Sequence, residues 1–148
     1  MKFLLDTHLL LWAAGQPDRL SKVARELIEN PDNELYFSAA SIWEIAIKSS
    51  LGREDFKADS RLVRRGLIDN GYREIPISSE HAVGVQALPL IHKDPFDRLL
   101  VSQSIAAAIT LVTANPVLPQ YSGMVQHVRG AVVSALKNQS PISQCIAA

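Results

Sequence analysis

The chain has 148 residues, 47% hydrophobic and 20% charged, with 15 basic side chains against 15 acidic ones. That length and apolar fraction suit one domain with a sizeable core and exclude intrinsic disorder. No apolar run approaches the roughly 18 residues of a membrane span, the opening Met-Lys-Phe-Leu-Leu meets Asp6 too early for a signal peptide, and a lone Cys145 excludes a disulfide framework, so a soluble cytoplasmic domain is expected.

Lys2 to Leu5 reads as a short buried strand ending at Asp6. A short helix is expected over Leu9 to Ala14, broken by Gly15 and Pro17. Ser21 suits an N-cap for a helix through Ile28, which Asn30 and Pro31 stop. Leu35 to Ser38 reads as a second strand, and Ala39 to Lys48 as a helix with Gly52 beyond its end. Asp59 or Ser60 caps a further helix through Ile68, closed by Gly71. Tyr72 to Ile77 is the third predicted strand, and Ser79 to Leu88 the next helix, before Pro89. Asp94-Pro95 is a helix start with proline at the first helical position, and that helix runs to about Ala108. Thr110 to Thr113 is the fourth strand, Asn115 to Gly123 a turn-rich loop, and Met124 to Val128 a short fifth strand. Apolar strands alternating with helices predict an α/β domain around a parallel sheet of four to five strands. Residues 1–128 form that domain, and residues 129–148 read as a weakly structured extension.

The charges are unevenly placed. The last fifty residues hold Arg129 and Lys137 and no acid, so any functional acid lies before position 98. From Lys48 to Arg73 there are seven basic residues, Lys48, Arg53, Lys57, Arg61, Arg64, Arg65 and Arg73, against four acids. Such a stretch fits either a solvated helix face or a phosphate-tracking patch.

In an open parallel sheet, ligands bind beyond the carboxyl ends of the strands. Asp6 ends the first strand, and Glu44 lies on the helix after the second. Asp94 and Asp97 open the helix leading to the fourth strand, which Thr113-Ala114-Asn115 follows. Acids from separate segments can thus meet at one edge, and a carboxylate cluster without His or Cys partners suits Mg²⁺ or Mn²⁺. Plainer readings stand beside this one. Asp94 caps a helix and Asp97 complements its dipole. Ser41-x-x-Glu44 matches a capping box, provided the helix starts late. Asp6 at the end of a buried strand needs either a cation or several hydrogen-bond donors.

At these residues the chain resembles a known family. Asp6-Thr7-His8 with Leu10-Leu11-Trp12, and Ser38-Ala39-Ala40-Ser41-Ile42-Trp43-Glu44-Ile45-Ala46-Ile47-Lys48, look like the first two blocks of PIN-domain proteins. His92-Lys93-Asp94-Pro95-Phe96-Asp97-Arg98-Leu99-Leu100 is similar to the third block of the VapC-like toxins of bacterial toxin–antitoxin pairs. Leu111-Val112-Thr113-Ala114 through Tyr121 fits the fourth, so the resemblance runs from residue 2 to about residue 128. It implies a three-layer α/β/α fold and a Mg²⁺- or Mn²⁺-dependent endoribonuclease held inactive by a small VapB-like antitoxin. Asp6, Glu44 and Asp97 match the family's acids, with Asp6 and Asp97 nearest the ion and Glu44 orienting water or holding a second ion. Asp94 matches an additional aspartate, and Asn115 stands where the family usually has an acid.

Among the remaining residues, Thr113 reads either as a hydrogen-bond partner of the ion's surroundings or as a plain strand-end hydroxyl. Lys48, Arg53 and Arg98 are candidate RNA contacts, with Arg98 alternatively pairing with Asp94. His8 and His92 could each serve as a general base but match their blocks as framework residues, and Trp12 and Trp43 are expected in the core rather than as base-stacking platforms. The apolar fraction leaves surface to bury against an antitoxin and a second copy, giving a homodimer. Two alternatives remain at this stage: a catalytically weak module that binds antitoxin or RNA, and a phosphatase using Asp6, which His8 disfavours.

Overall fold

Residues 1–52, 56–121 and 123–130 are described by the computed structural model of the chain. Five parallel strands run β1 (Lys2–Leu5), β2 (Glu34–Ser38), β3 (Arg73–Ile75), β4 (Thr110–Thr113) and β5 (Val125–His127). Their order across the sheet is β3-β2-β1-β4-β5. Phe3 pairs with Leu35 on one side, and Leu4 with Leu111 on the other. The chain therefore winds outward from β1 to β3, then returns to β4 beside β1. That reversal between β1 and β4 opens a crevice at their carboxyl ends, where such sheets bind ligands.

The period-two alternation of side chains divides the core in two. Phe3, Leu5, Phe37 and Val112 point to one face, where they meet Leu9, Leu10, Ala24, Ile45, Val63 and Leu67. Leu4, Ile75 and Leu111 point to the other, against Leu100, Val101, Leu118 and Tyr121. Helices thus cover both faces: α1 (Thr7–Gly15), α2 (Lys22–Glu29), α3 (Ala39–Ser50) and α4 (Ser60–Asp69) contribute to the first core, and α6 (Pro95–Ala107) to the second. The result is a three-layer α/β/α fold. Among the described residues no helix is long and apolar enough to cross a membrane.

Several boundaries differ from those expected. Helix α1 begins at Thr7 rather than Leu9, because Asp6 caps it by accepting from the Leu9 N–H. Helix α3 begins at Ala39, where the Ser38 hydroxyl accepts from the Ala40 N–H, so Ser41 lies inside the helix and the capping-box reading of Glu44 fails. Strand β3 is only Arg73–Ile75, and Gly71 before it has φ +86, which favours glycine. The helix expected over Ser79 to Leu88 divides into α5 (Ser79–Gly84) and a 3₁₀ turn at Val85–Ala87. The basic stretch lies largely on α4, where Arg61, Arg64 and Arg65 are exposed and Arg64 pairs with Glu74 at 3.7 Å. From residue 131 the expected extension lies outside the described residues, as do Arg53 and Cys145.

Candidate active site

Asp6 is buried at the crevice between β1 and β4. Its Oδ1 accepts from the Leu9 N–H at 2.9 Å. Its Oδ2 accepts from the Thr113 hydroxyl at 2.6 Å and the Ala114 N–H at 3.0 Å. Three donors from two segments therefore fix this carboxylate. Burial still holds its pKa above the ordinary carboxylate value, although Thr113, Leu9, Ala114 and the nearby His8 all act against that rise. An opposing cation would relieve the desolvation.

Glu44, also buried, is carried by α3. Its Oε1 accepts from the Thr7 hydroxyl at 2.7 Å, and Thr7 in turn lies 3.0 Å from the Ser41 hydroxyl. Its Oε2 meets the Lys48 ammonium at 2.6 Å, one turn along the helix. Both carboxylate oxygens are thus held by neighbouring side chains.

Asp94 caps α6, its Oδ1 accepting from the N–H groups of Phe96 (2.8 Å) and Asp97 (3.3 Å). Asp97 sits in the first turn, and its Oδ2 is 2.8 Å from His92 Nε2. Among the described residues, Oδ1 of Asp97 accepts no hydrogen bond, leaving it open to a ligand. Burial raises the Asp97 pKa. The His92 hydrogen bond lowers it, while the charges of Asp94, Asp6 and Glu44 raise it further. The charges of Asp94, Asp6 and Glu44 are therefore all felt at Asp97. Oxygen or nitrogen atoms of His92, Asp94 and Asp97 also lie within 4.8 Å of one another. Two carboxylates with an imidazole form a donor group that fits a divalent cation, with the charges of Asp6 and Glu44 acting on it from nearby.

A buried amide aligns the two helices that bring Glu44 and Asp97 together. The Ser38 hydroxyl donates to Gln103 Oε1 at 2.5 Å, tying the β2–α3 junction to α6. Gln103 is fully buried. The His92 loop is fixed by a second device. Arg98 donates to the carbonyls of Val85 (3.1 Å), Pro89 (3.1 Å) and His92 (3.4 Å), and the Tyr121 hydroxyl accepts from the His92 N–H at 2.9 Å.

The model of the PIN domain family matches residues 3–123. The chain belongs to the PIN domain family. Over 113 residues it is 32% identical to "Ribonuclease VapC22" of Mycobacterium tuberculosis, a match covering 76% of this chain and 85% of that protein. The fold is shared with VapBC2 from Rickettsia felis, solved bound to a DNA fragment from its promoter, with a TM-score of 0.63, 18% identity, and coverage of 86% of this chain and 99% of that one. VapBC-1 from nontypeable Haemophilus influenzae is similar at a TM-score of 0.56 and 16% identity, over 86% of this chain and 98% of that one. A Klebsiella pneumoniae toxin–antitoxin complex gives 0.56 at 20% identity, over 83% and 94% respectively.

Several expected site residues of this PIN domain take other parts. Arg98 is buried with its guanidinium spent on backbone carbonyls and the Tyr121 hydroxyl, so it neither faces a substrate phosphate nor pairs with Asp94. Lys48 neutralises Glu44 rather than standing free. Thr113 is fully buried and holds Asp6 while accepting from the Asn115 N–H at 3.0 Å. The Asn115 side-chain oxygen accepts from the Val117 N–H at 2.9 Å, forming a local turn, and its amide nitrogen lies 3.5 Å from His92 Nε2. Trp43 is 55% exposed, not in the core. Sequence reasoning missed the pairings of His92 with Asp97 and of Thr7 with Glu44. A histidine five residues before an acid, across a proline-led helix start, carries no periodic signal.

Proposed function

We propose that this PIN domain is a Mg²⁺- or Mn²⁺-dependent endoribonuclease and the toxin of a toxin–antitoxin pair. The clustering of His92, Asp94 and Asp97, with the charges of Asp6 and Glu44 felt there too, supports the reading. Its kinship with a protein named a ribonuclease supports the substrate class.

Asp97 and Asp6 would hold the ion, Asp97 with an oxygen free for it and Asp6 from a rigid cradle. When bound, a Mg²⁺ or Mn²⁺ ion supplies activated water at neutral pH and offsets charge developing on the phosphate. Asp94 adds negative charge while capping α6. Glu44, fixed by Thr7 and Lys48, can orient an attacking water or take its proton without itself moving. Lys48 places a positive charge against its Oε2.

The antitoxin belongs to the same proposal, supported by the solved toxin–antitoxin complexes that share this fold. A groove of about 560 Å³ lies between α1, β2 and α4, lined by Ala13, Leu35, Leu62, Leu67 and Tyr72 among others. Arg65, Asp69 and Asn70 also line it, so it suits an amphipathic partner segment. The homodimer is likewise proposed, since Val83, Leu90 and Ile105 remain exposed.

The test is incubation of the chain with RNA in Mg²⁺, with a chelator as control. Fragments with 5′-phosphate and 3′-hydroxyl ends that vanish on chelation are expected. Intact RNA in Mg²⁺, or cleavage indifferent to the chelator, sinks the reading.

A further inference from the structure

We propose that Trp43 is a stacking platform for a nucleobase of single-stranded RNA beside the acid cluster, with Phe96 as its support; this rests on the ribonuclease reading above. Trp43 immediately precedes Glu44 on α3, and Phe96 immediately precedes Asp97 on α6. Their ring centroids lie 5.2 Å apart with the planes at 71°, so one aromatic contact bridges the helices that carry the two acids. Phe96 is half-buried, whereas the indole is 55% exposed. Its neighbours one turn away on α3, Ala39, Ala46 and Ile47, are half-buried, so the indole stands out from the helix.

A large ring held against a second ring loses little freedom when a flat ligand settles on it. Every base presents a π face, so such a platform binds RNA without reading its sequence by hydrogen bonds. Exposed Lys93, between His92 and Asp94 in the sequence, offers a cation for the phosphate backbone. A lone indole next to a carboxylate cluster fits a base and its adjacent phosphate better than a broad apolar partner face.

The chain holds two tryptophans, so Trp12→Phe leaves Trp43 as the sole indole reporter. The full-length Trp12→Phe protein is titrated with a short, end-labelled single-stranded RNA in Ca²⁺, reading both Trp43 emission and RNA anisotropy. Quenching that saturates together with anisotropy is expected. In the otherwise unmodified chain, Trp43→Ala should weaken RNA binding about tenfold, and Trp43→Phe much less. If anisotropy reports binding while Trp43 emission stays constant and Trp43→Ala binds equally, stacking is overturned and the ribonuclease reading survives. Absence of any RNA binding overturns both. Emission that changes with protein concentration alone, without RNA, overturns the proposal and assigns the indole to an interface between copies.

Discussion

His92 Nε2 lies 2.8 Å from Oδ2 of Asp97, across the start of α6. This contact turns the least hydrogen-bonded of the acids toward the cluster and leaves its Oδ1 open. A hydrogen bond to a ligating carboxylate typically changes metal affinity by about 10–100-fold. His92→Ala should therefore weaken Mn²⁺ binding by about that factor, read by calorimetry at fixed pH. The fold should persist, because Tyr121 and Arg98 hold the loop through the His92 backbone rather than its ring. Unchanged affinity would make the pairing incidental.

The raised pKa values of Asp6 and Asp97 set a pH dependence. Without an ion, the folded chain holds these protons more tightly than the unfolded chain, whose carboxyls titrate near 3.8. Their stabilising contribution is complete below that value and is lost as pH rises through the raised native values. A cation binds the deprotonated forms and so opposes the loss. The gain in Tm on adding Mg²⁺ should grow as pH rises above the ordinary carboxylate range. A gain independent of pH would contradict the placement of the ion at these acids.

Asp6 at the end of an apolar strand, Asp94 before Pro95 and the β–α alternation were legible in the sequence because each is a local pattern. The rest depended on contacts between distant segments. Thr113 reaches Asp6 across 107 positions, and Ser38 reaches Gln103 across 65. No local spacing encodes either. Arg98 misled for the same reason: its charge suggested a surface, but burial among the carbonyls of Val85, Pro89 and His92 is a tertiary fact. Helix α1 starts two residues before the expected Leu9, because Asp6 is its N-cap as well as a candidate functional acid.

Thr113 donates to Asp6 and accepts from the Asn115 N–H, so its hydroxyl links the acid to the loop after β4. Thr113→Val keeps the shape and deletes both bonds. About 1–3 kcal/mol of stability should be lost in urea unfolding, since the site is buried and its partners are left short. Thr113→Ser should recover most of it. Equal losses in both variants would show that the methyl group, not the hydroxyl, matters.

Asn115 uses its side-chain oxygen on the Val117 N–H, a bond that a carboxylate can also accept. Asn115→Asp should keep the turn and add negative charge next to His92 and Asp97. The Mg²⁺ concentration for half-maximal RNA cleavage should fall about tenfold, or ~1.4 kcal/mol. The chelated protein should meanwhile lose stability through like-charge repulsion. An unchanged Mg²⁺ midpoint would remove position 115 from the ion's surroundings.

The central claim is that acids from β1, α3 and α6 form one cation site with Asp97 as a direct ligand. Calorimetric Mn²⁺ titration of the parent and of Asp97→Asn tests it without relying on RNA. Asn at 97 preserves size but removes the charge. The parent should bind, and the variant should bind at least about a hundredfold more weakly, or ~2.7 kcal/mol. Equal Mn²⁺ affinity in the two proteins would contradict the account.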